Sequence, residues 1–220
     1  MIHPWNITPK EAINLQKQLA SRVVVKPLPE QITLVAGADV GYSSRYQTAV
    51  AALATYTYPS LEFRELVQFS GEIAYPYRPG LLSFREIPLL LEAFQLLQGQ
   101  PDVVLCDGQG IAHPRRLGLA SHLGLWLDLP TVGCAKTRLV GAHGKLGPKK
   151  GQYRSLMHRH ERVGVVLRTR TEVKPLYVSP GHLADFESSR WLVMRCCSKY
   201  RLPEPIRQAH LAVQRAVRGT

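Results

Sequence analysis

Acidic residues are scarce in this chain: 16 Asp and Glu stand against 28 Lys and Arg over 220 residues, a formal charge of +12. That balance argues against an acidic, solvating protein and favours a polyanionic partner. Long apolar runs are missing too. None approaches the ~18 residues that would span a bilayer, and Met1-Ile2-His3-Pro4-Trp5 lacks the charged-then-apolar order of a secretory leader. No membrane association is expected. Cysteine is limited to Cys106, Cys134, Cys196 and Cys197, without zinc-ligand spacing. Cys106 and Cys134 fall on apolar strands, and a bond between the neighbours Cys196 and Cys197 would be strained. Four free thiols in a reducing cytoplasm are therefore expected. There is no internal repeat, and Gly108-Gln109-Gly110 lacks the spacing of a phosphate loop.

What is present is ample apolar content, 45%, enough for one domain over residues 1–220 with a sizeable core. Thr8-Pro9-Lys10-Glu11 is a capping box with proline at the first helical position, predicting a helix over about 9–23. An apolar run from Ile32 predicts a strand ending at Asp39. Runs 48–58 and 61–73 flank Pro59-Ser60 and read as a hairpin. These three strands would form an antiparallel meander with residues 41–47 as its first turn. Ser83-Phe84-Arg85-Glu86 is a second capping-box pattern, opening a helix to about residue 98. A strand at 102–106, a helix at 114–127 and a short strand at 131–135 follow. Strands 163–167 and 175–179 should pair, and helices at 183–198 and 204–217 close the chain. A meander followed by helix–strand–helix–strand implies an α/β fold, one mixed sheet flanked by helices, in the ribonuclease H-like order. Between Lys136 and Arg170 lie ten Lys or Arg and one acid, Glu161. This stretch, with a basic insert at about 142–162, is either a solvated loop or a phosphate-contacting surface.

Asp39 and Asp107 both end apolar strands, where an acid is costly without a partner. Side by side they would repel, and a hard divalent cation with oxygen ligands removes that cost. They are the first candidate metal ligands. Glu86, in the helix between them, has two readings: a capping glutamate, or a third acid of the same cluster. Lys136 follows the strand at 131–135, beyond whose carboxyl end sites form in parallel sheets. It could contact a phosphate, or be an ordinary surface lysine. His210 reads equally as a packed helical histidine. Tyr77, in Pro76-Tyr77-Arg78-Pro79-Gly80, either occupies a plain proline-rich turn or inserts beside a base.

Longer motifs narrow these choices. Gly37-Ala38-Asp39-Val40-Gly41, Pro76-Tyr77-Arg78-Pro79-Gly80-Leu81-Leu82-Ser83-Phe84-Arg85-Glu86, Asp107-Gly108-Gln109-Gly110-Ile111-Ala112-His113-Pro114-Arg115-Arg116-Leu117-Gly118, Gly133-Cys134-Ala135-Lys136, Ser179-Pro180-Gly181-His182 and Tyr200-Arg201-Leu202-Pro203-Glu204-Pro205 resemble the endonuclease V (deoxyinosine 3′-endonuclease) family, in order, from about residue 10 to 211. The resemblance implies a Mg²⁺-dependent DNA repair endonuclease, with Mn²⁺ as substitute. Such an enzyme recognises deaminated purine, chiefly hypoxanthine, and cuts the second phosphodiester bond 3′ to it, leaving 3′-hydroxyl and 5′-phosphate. It further implies metal binding by Asp39, Asp107 and Glu86, with Lys136 and His210 completing the catalytic group. Tyr77 would be the strand-separating wedge. Gly80, Leu81 and Leu82 would lie beside the base pocket, and Gly108, Gly110 and Ile111 would form its other wall. Two positions depart from the family pattern: Arg78 stands where isoleucine is common, and Gln109 where histidine is. A cytoplasmic monomer acting on damaged DNA is expected. The rivals are an enzyme of the same chemistry acting on inosine-containing RNA, a non-catalytic nucleic-acid binder and a junction resolvase.

Overall fold

The computed structural model describes residues 2–43 and 48–218. The elements run α1 Pro9–Ala20, β1 Leu34–Tyr42, β2 Thr48–Thr57, β3 Phe63–Glu72, α2 Leu82–Gln95, β4 Val103–Cys106, α3 Leu119–Leu127, β5 Thr131–Ala135, β6 Tyr153–His158, β7 Glu161–Leu167, β8 Leu176–Pro180, α4 Phe186–Arg195 and α5 Glu204–Arg218. The eight strands form one sheet in the order β3-β2-β1-β4-β5-β8-β7-β6. β1, β2 and β3 pair antiparallel, as the expected meander. β1–β4 and β4–β5 are parallel, and β5–β8, β8–β7 and β7–β6 are antiparallel. The mixed, helix-flanked α/β sheet is therefore present. Residues 44–47 of the expected first turn lie outside the described residues; β1 and β2 are joined up to Ser43, whose N–H donates to Thr48 O at 2.9 Å.

α2 and α3 pack on one sheet face through Ile87, Leu90, Ala93, Ala120 and Leu123 against Ala36, Ala38, Ala51 and Val104. α4 and α5 cover the other, where Leu192 and Ile206 meet Val35, Leu105 and Val178. Farther along α5, Ala209, Ala212 and Val213 lie on Val50, Ala52 and Ala54. Small side chains in β1 and β2 set this closeness. At Gly37 the backbone of Pro205 and Ile206 occupies the space a Cβ would need. Side chains alternate along a strand, so Asp39 shares Gly37's face and looks towards α5.

Several boundaries differ from the sequence expectations for local reasons. α1 is capped reciprocally by Thr8 and Glu11, as predicted, but ends at Ala20. α3 begins at Leu119, because Arg116 has a left-handed φ of 58°. α4 begins at Phe186, after Leu183 with φ 50° and an Asp185 cap bonded to Ser188 N–H. The second capping box does not form: Leu81 is the N-cap of α2 without a side-chain bond. Ser83 Oγ instead shares a hydrogen bond of 3.0 Å with His122 Nδ1. The basic insert contains β6, an edge strand that no expectation placed. Only Leu156 of its six residues is buried, so it lacks an apolar period.

Gly37→Ala should force α5 off the sheet. The expected loss is about 3 kcal/mol of unfolding free energy, read from the urea midpoint, together with displacement of His210.

Candidate active site

The register that pairs Ala38 with Cys106 brings the next residues, Asp39 and Asp107, together at the carboxyl ends of β1 and β4. Asp107 N–H donates to Ala38 O at 3.0 Å, locking the two strand ends. α5 supplies His210, whose Nδ1–H donates to Asp39 Oδ2 at 2.7 Å. Its Nε2 accepts from the Gln214 amide at 2.9 Å, which selects the Nδ1–H tautomer. Lys136, one residue beyond β5, forms an ion pair with Asp107 Oδ2. Ligand atoms of Asp39, Asp107 and His210 all lie within 4.8 Å of one another.

Glu86 stands beside this trio and lines the same pocket, with Tyr42, Lys136 and Gln214, in a cavity of ≈ 510 Å³. It is not a helix cap. It is buried, and it accepts Tyr42 O–H at 2.7 Å. The Arg85 guanidinium lies over the Tyr42 ring, 4.6 Å from its centroid. Burial pushes the Glu86 carboxyl up to about 8, with Asp39 and Asp107 adding to the rise and Tyr42 and Arg85 opposing it. Asp39 is raised to about 6 by burial and by Asp107, against the opposing pull of His210 and Lys136. Three carboxylates thus converge with one direct lysine partner. The donor set is hard oxygen plus one imidazole and suits a divalent cation. Asp39, Asp107 and His210 form the compact group that could hold one, His210 only in the tautomer that leaves Nδ1 unprotonated. Glu86, expected at the metal from the resemblance, lines the same pocket, accepts Tyr42 O–H through Oε1 and stands outside that compact group.

A second cavity of ≈ 190 Å³ opens next to the first, smaller than a drug-sized site and suited to one ring system. Tyr77, Arg78, Gly80, Leu82, Ser83, Gln109, His113, Leu119 and Leu139 are among its walls. Tyr77 is 68% exposed at its rim. Gly80 and Leu82 line it as expected. Leu81 does not: it is buried against Tyr75, Phe84 and Ala12. Gly108, Gly110 and Ile111 are not among the lining residues either. Gly110 is pressed on Pro180 O, Gly108 faces Leu119, and Ile111 N–H bonds Pro180 O at 2.8 Å. The wall they were expected to form is made by Gln109, His113 and Leu119. Gln109 Nε2 donates to Thr137 O at 3.0 Å, tying this wall to the residue after Lys136. Tyr42, His113, Leu139 and Gln214 were not anticipated. Tyr42 had one readable signal, an aromatic three residues beyond Asp39 on the same strand.

Acids at adjoining strand ends, an ion-paired lysine and a ring-sized cavity beside them define a nuclease-type site. The endonuclease V family profile matches residues 17–211. A Dehalococcoides mccartyi (strain CBDB1) endonuclease V is 50% identical over 216 residues, covering 98% of this chain and 97% of its own. The crystal structure of a Streptomyces avermitilis endonuclease V superposes with a TM-score of 0.92 at 39% identity, covering 98% of this chain and 95% of that one. A Ciona intestinalis endonuclease V (D234N), solved with a 23mer DNA containing an inosine followed by a ribo-adenosine, gives 0.86 at 26%, covering 97% and 99%. The chain belongs to the endonuclease V family, and is an endonuclease.

In the metal-free protein the raised carboxyls set a sign for stability. The folded state keeps a proton on Glu86 from its ordinary 4.5 up to about 8, and on Asp39 from 3.8 up to about 6. The unfolded chain releases both earlier. Stability is therefore full below the unfolded values and falls as pH rises through the folded ones. With EDTA present, the urea midpoint should drop between pH 5 and 8. Glu86→Gln should flatten that drop by an amount on the order of a few kcal/mol.

Proposed function

We propose that the chain is a Mg²⁺-dependent DNA repair endonuclease acting on deaminated purines, chiefly deoxyinosine, with the hypoxanthine base in the ≈ 190 Å³ cavity and the scissile phosphate over the acidic pocket. One observation carries this reading. Three segments each place one residue in the cavity and another, a few positions on, in the acidic pocket or the reverse. α2 gives Leu82 and Glu86, the loop after β4 gives Asp107 and Gln109, and the loop after β5 gives Lys136 and Leu139. Four helical residues rise about 6 Å. Base and phosphate sites are thus close but not superposed, which supports incision one step away from the lesion, at the second phosphodiester bond on its 3′ side.

Asp39 and Asp107, with His210 or Glu86, would hold Mg²⁺, or Mn²⁺ in its place. When bound, that ion supplies a Lewis acid for the phosphoryl oxygens and a lowered pKa for water. Lys136 neutralises Asp107 and is placed to stabilise charge on the leaving 3′-oxygen, so that the products carry 3′-hydroxyl and 5′-phosphate. His210 orients Asp39 through its Nδ1–H. Tyr77, free of packing at the cavity rim, is the side chain to fill the gap left by an extruded base. The basic stretch supports a polyanionic partner. Lys149, Lys150 and Arg154 line an exposed groove, while Arg162 and Arg116 are held in ion pairs with Glu187 and Glu161. Four buried free thiols support a reducing, cytoplasmic setting, and no helix among the described residues is long and apolar enough to cross a membrane. We take the single chain as the working unit.

The test is incision of a duplex holding one deoxyinosine, with the cut mapped to the nucleotide. Wild type with Mg²⁺ should cut at the second bond 3′ to the lesion, and EDTA should stop it. Asp39→Ala and Asp107→Ala should abolish cutting while gel-shift affinity for the duplex largely survives; equal losses of both would refute the metal role. Lys136→Ala should slow single-turnover cutting by about 10²–10³-fold. Tyr77→Ala should erode the preference for inosine over undamaged DNA more than affinity for either.

A further inference from the structure

The loop that carries Tyr77 is held by a clamp on a single carbonyl. Arg78-Pro79-Gly80-Leu81 is a reverse turn closed by Leu81 N–H to Arg78 O at 2.9 Å. Proline in the second position and Gly80 at φ 78° in the third make it type II. That turn has one internal bond, and the tyrosine ahead of it packs on little. Yet Gly80 O accepts from three side chains on two other parts of the chain: Arg115 Nη2 at 2.7 Å, Gln16 Nε2 at 2.9 Å and His113 Nε2 at 3.1 Å. Gln16, on α1, is 1% exposed and fully committed. Its Nε2 also reaches Leu117 O at 3.2 Å, and its Oε1 accepts from Arg115 Nε. The Arg115 fork therefore bridges α1 and the turn, with one nitrogen on each.

Burying such groups is unfavourable, and burial holds the Arg115 guanidinium below its ordinary range. A surface turn needs no such anchorage in order to fold. A turn whose exposed aromatic must be driven into a stacked duplex does, because a loose loop would yield instead of the base stack. We propose that Arg115 is a positioning residue that stiffens the Tyr77 loop for opening a paired lesion. This rests on the lesion-endonuclease reading above. Arg115 contacts the loop's carbonyl, so its effect should appear only where strands must be separated.

The experiment compares single-turnover cutting of one deoxyinosine in a fully paired duplex with the same lesion in an unpaired bubble, using wild type, Arg115→Met and Arg115→Lys. On the paired duplex Arg115→Met should lose about tenfold or more. On the bubble it should stay within about twofold, since nothing there must be pried apart. A 2-aminopurine beside the lesion should brighten on binding of wild type and much less with Arg115→Met. Arg115→Lys keeps the charge but loses the fork, and should restore the paired substrate only in part. Equal losses on both substrates overturn the proposal in favour of general structural support. Full activity of Arg115→Lys also overturns it, since charge alone would then suffice. Wild type that cuts neither substrate overturns the lesion-endonuclease reading, and the clamp's role with it; wild type that cuts both while the variants lose equally overturns the clamp alone.

Discussion

Parallel pairing of β1 with β4 is the constraint from which the rest of the site follows. β1, like β5, has an antiparallel neighbour on one side and a parallel neighbour on the other. At that change of direction two chain segments leave the sheet at the same end, each carrying an aspartate. The repulsion this creates is not relieved by burial; burial worsens it. Every other polar feature nearby answers that strain: His210 from α5, Lys136 from the end of β5 and the Tyr42–Arg85 stack behind Glu86. α5 can approach only because Gly37 and the alanines of β2 leave room for its backbone. Packing and electrostatics are thus two sides of one arrangement.

The two cavities differ in chemistry. The acidic one is polar and holds titratable groups poised for a cation. The smaller one has most of its polar side chains already engaged: Ser83 with His122, His113 and Gln16 with Gly80 O, and the Gln109 amide nitrogen with Thr137 O. Gln109 is therefore a tether between loops, a role an amide fills with its N–H₂ facing a carbonyl. Arg78 lies in the cavity wall next to Tyr77.

Asp39 and Asp107 were legible because an acid ending an apolar strand contradicts its surroundings. Glu86 was obscured by a sequence pattern with a sufficient local explanation, and only the tertiary partner of Ser83, His122, removes it. His210 carried no signal of its own and Lys136 only its place after a strand, since one helical histidine or loop lysine looks like any other until the strands are placed. Gly108, Gly110 and Ile111 do not line the smaller cavity, for a physical reason. Those residues permit close backbone contact with β8, and it is the side chains between and after them that face the cavity. β6 was invisible because an edge strand with one buried residue has no apolar alternation to read.

Under the proposed activity, the segments that serve both cavities convert a distance in the substrate into a count along the chain. Between Leu82 and Glu86 the spacing is rigid, because one residue inserted into a helix turns everything beyond it by about 100°. The same insertion in the loops after β4 or β5 would separate Gln109 from Asp107, or Leu139 from Lys136. The basic insert at 142–162 lines neither cavity and is under no such constraint. The three short spacers behave as a fixed ruler, and under the proposed activity a change in any of them would move the break in the strand before it removed the ability to break it.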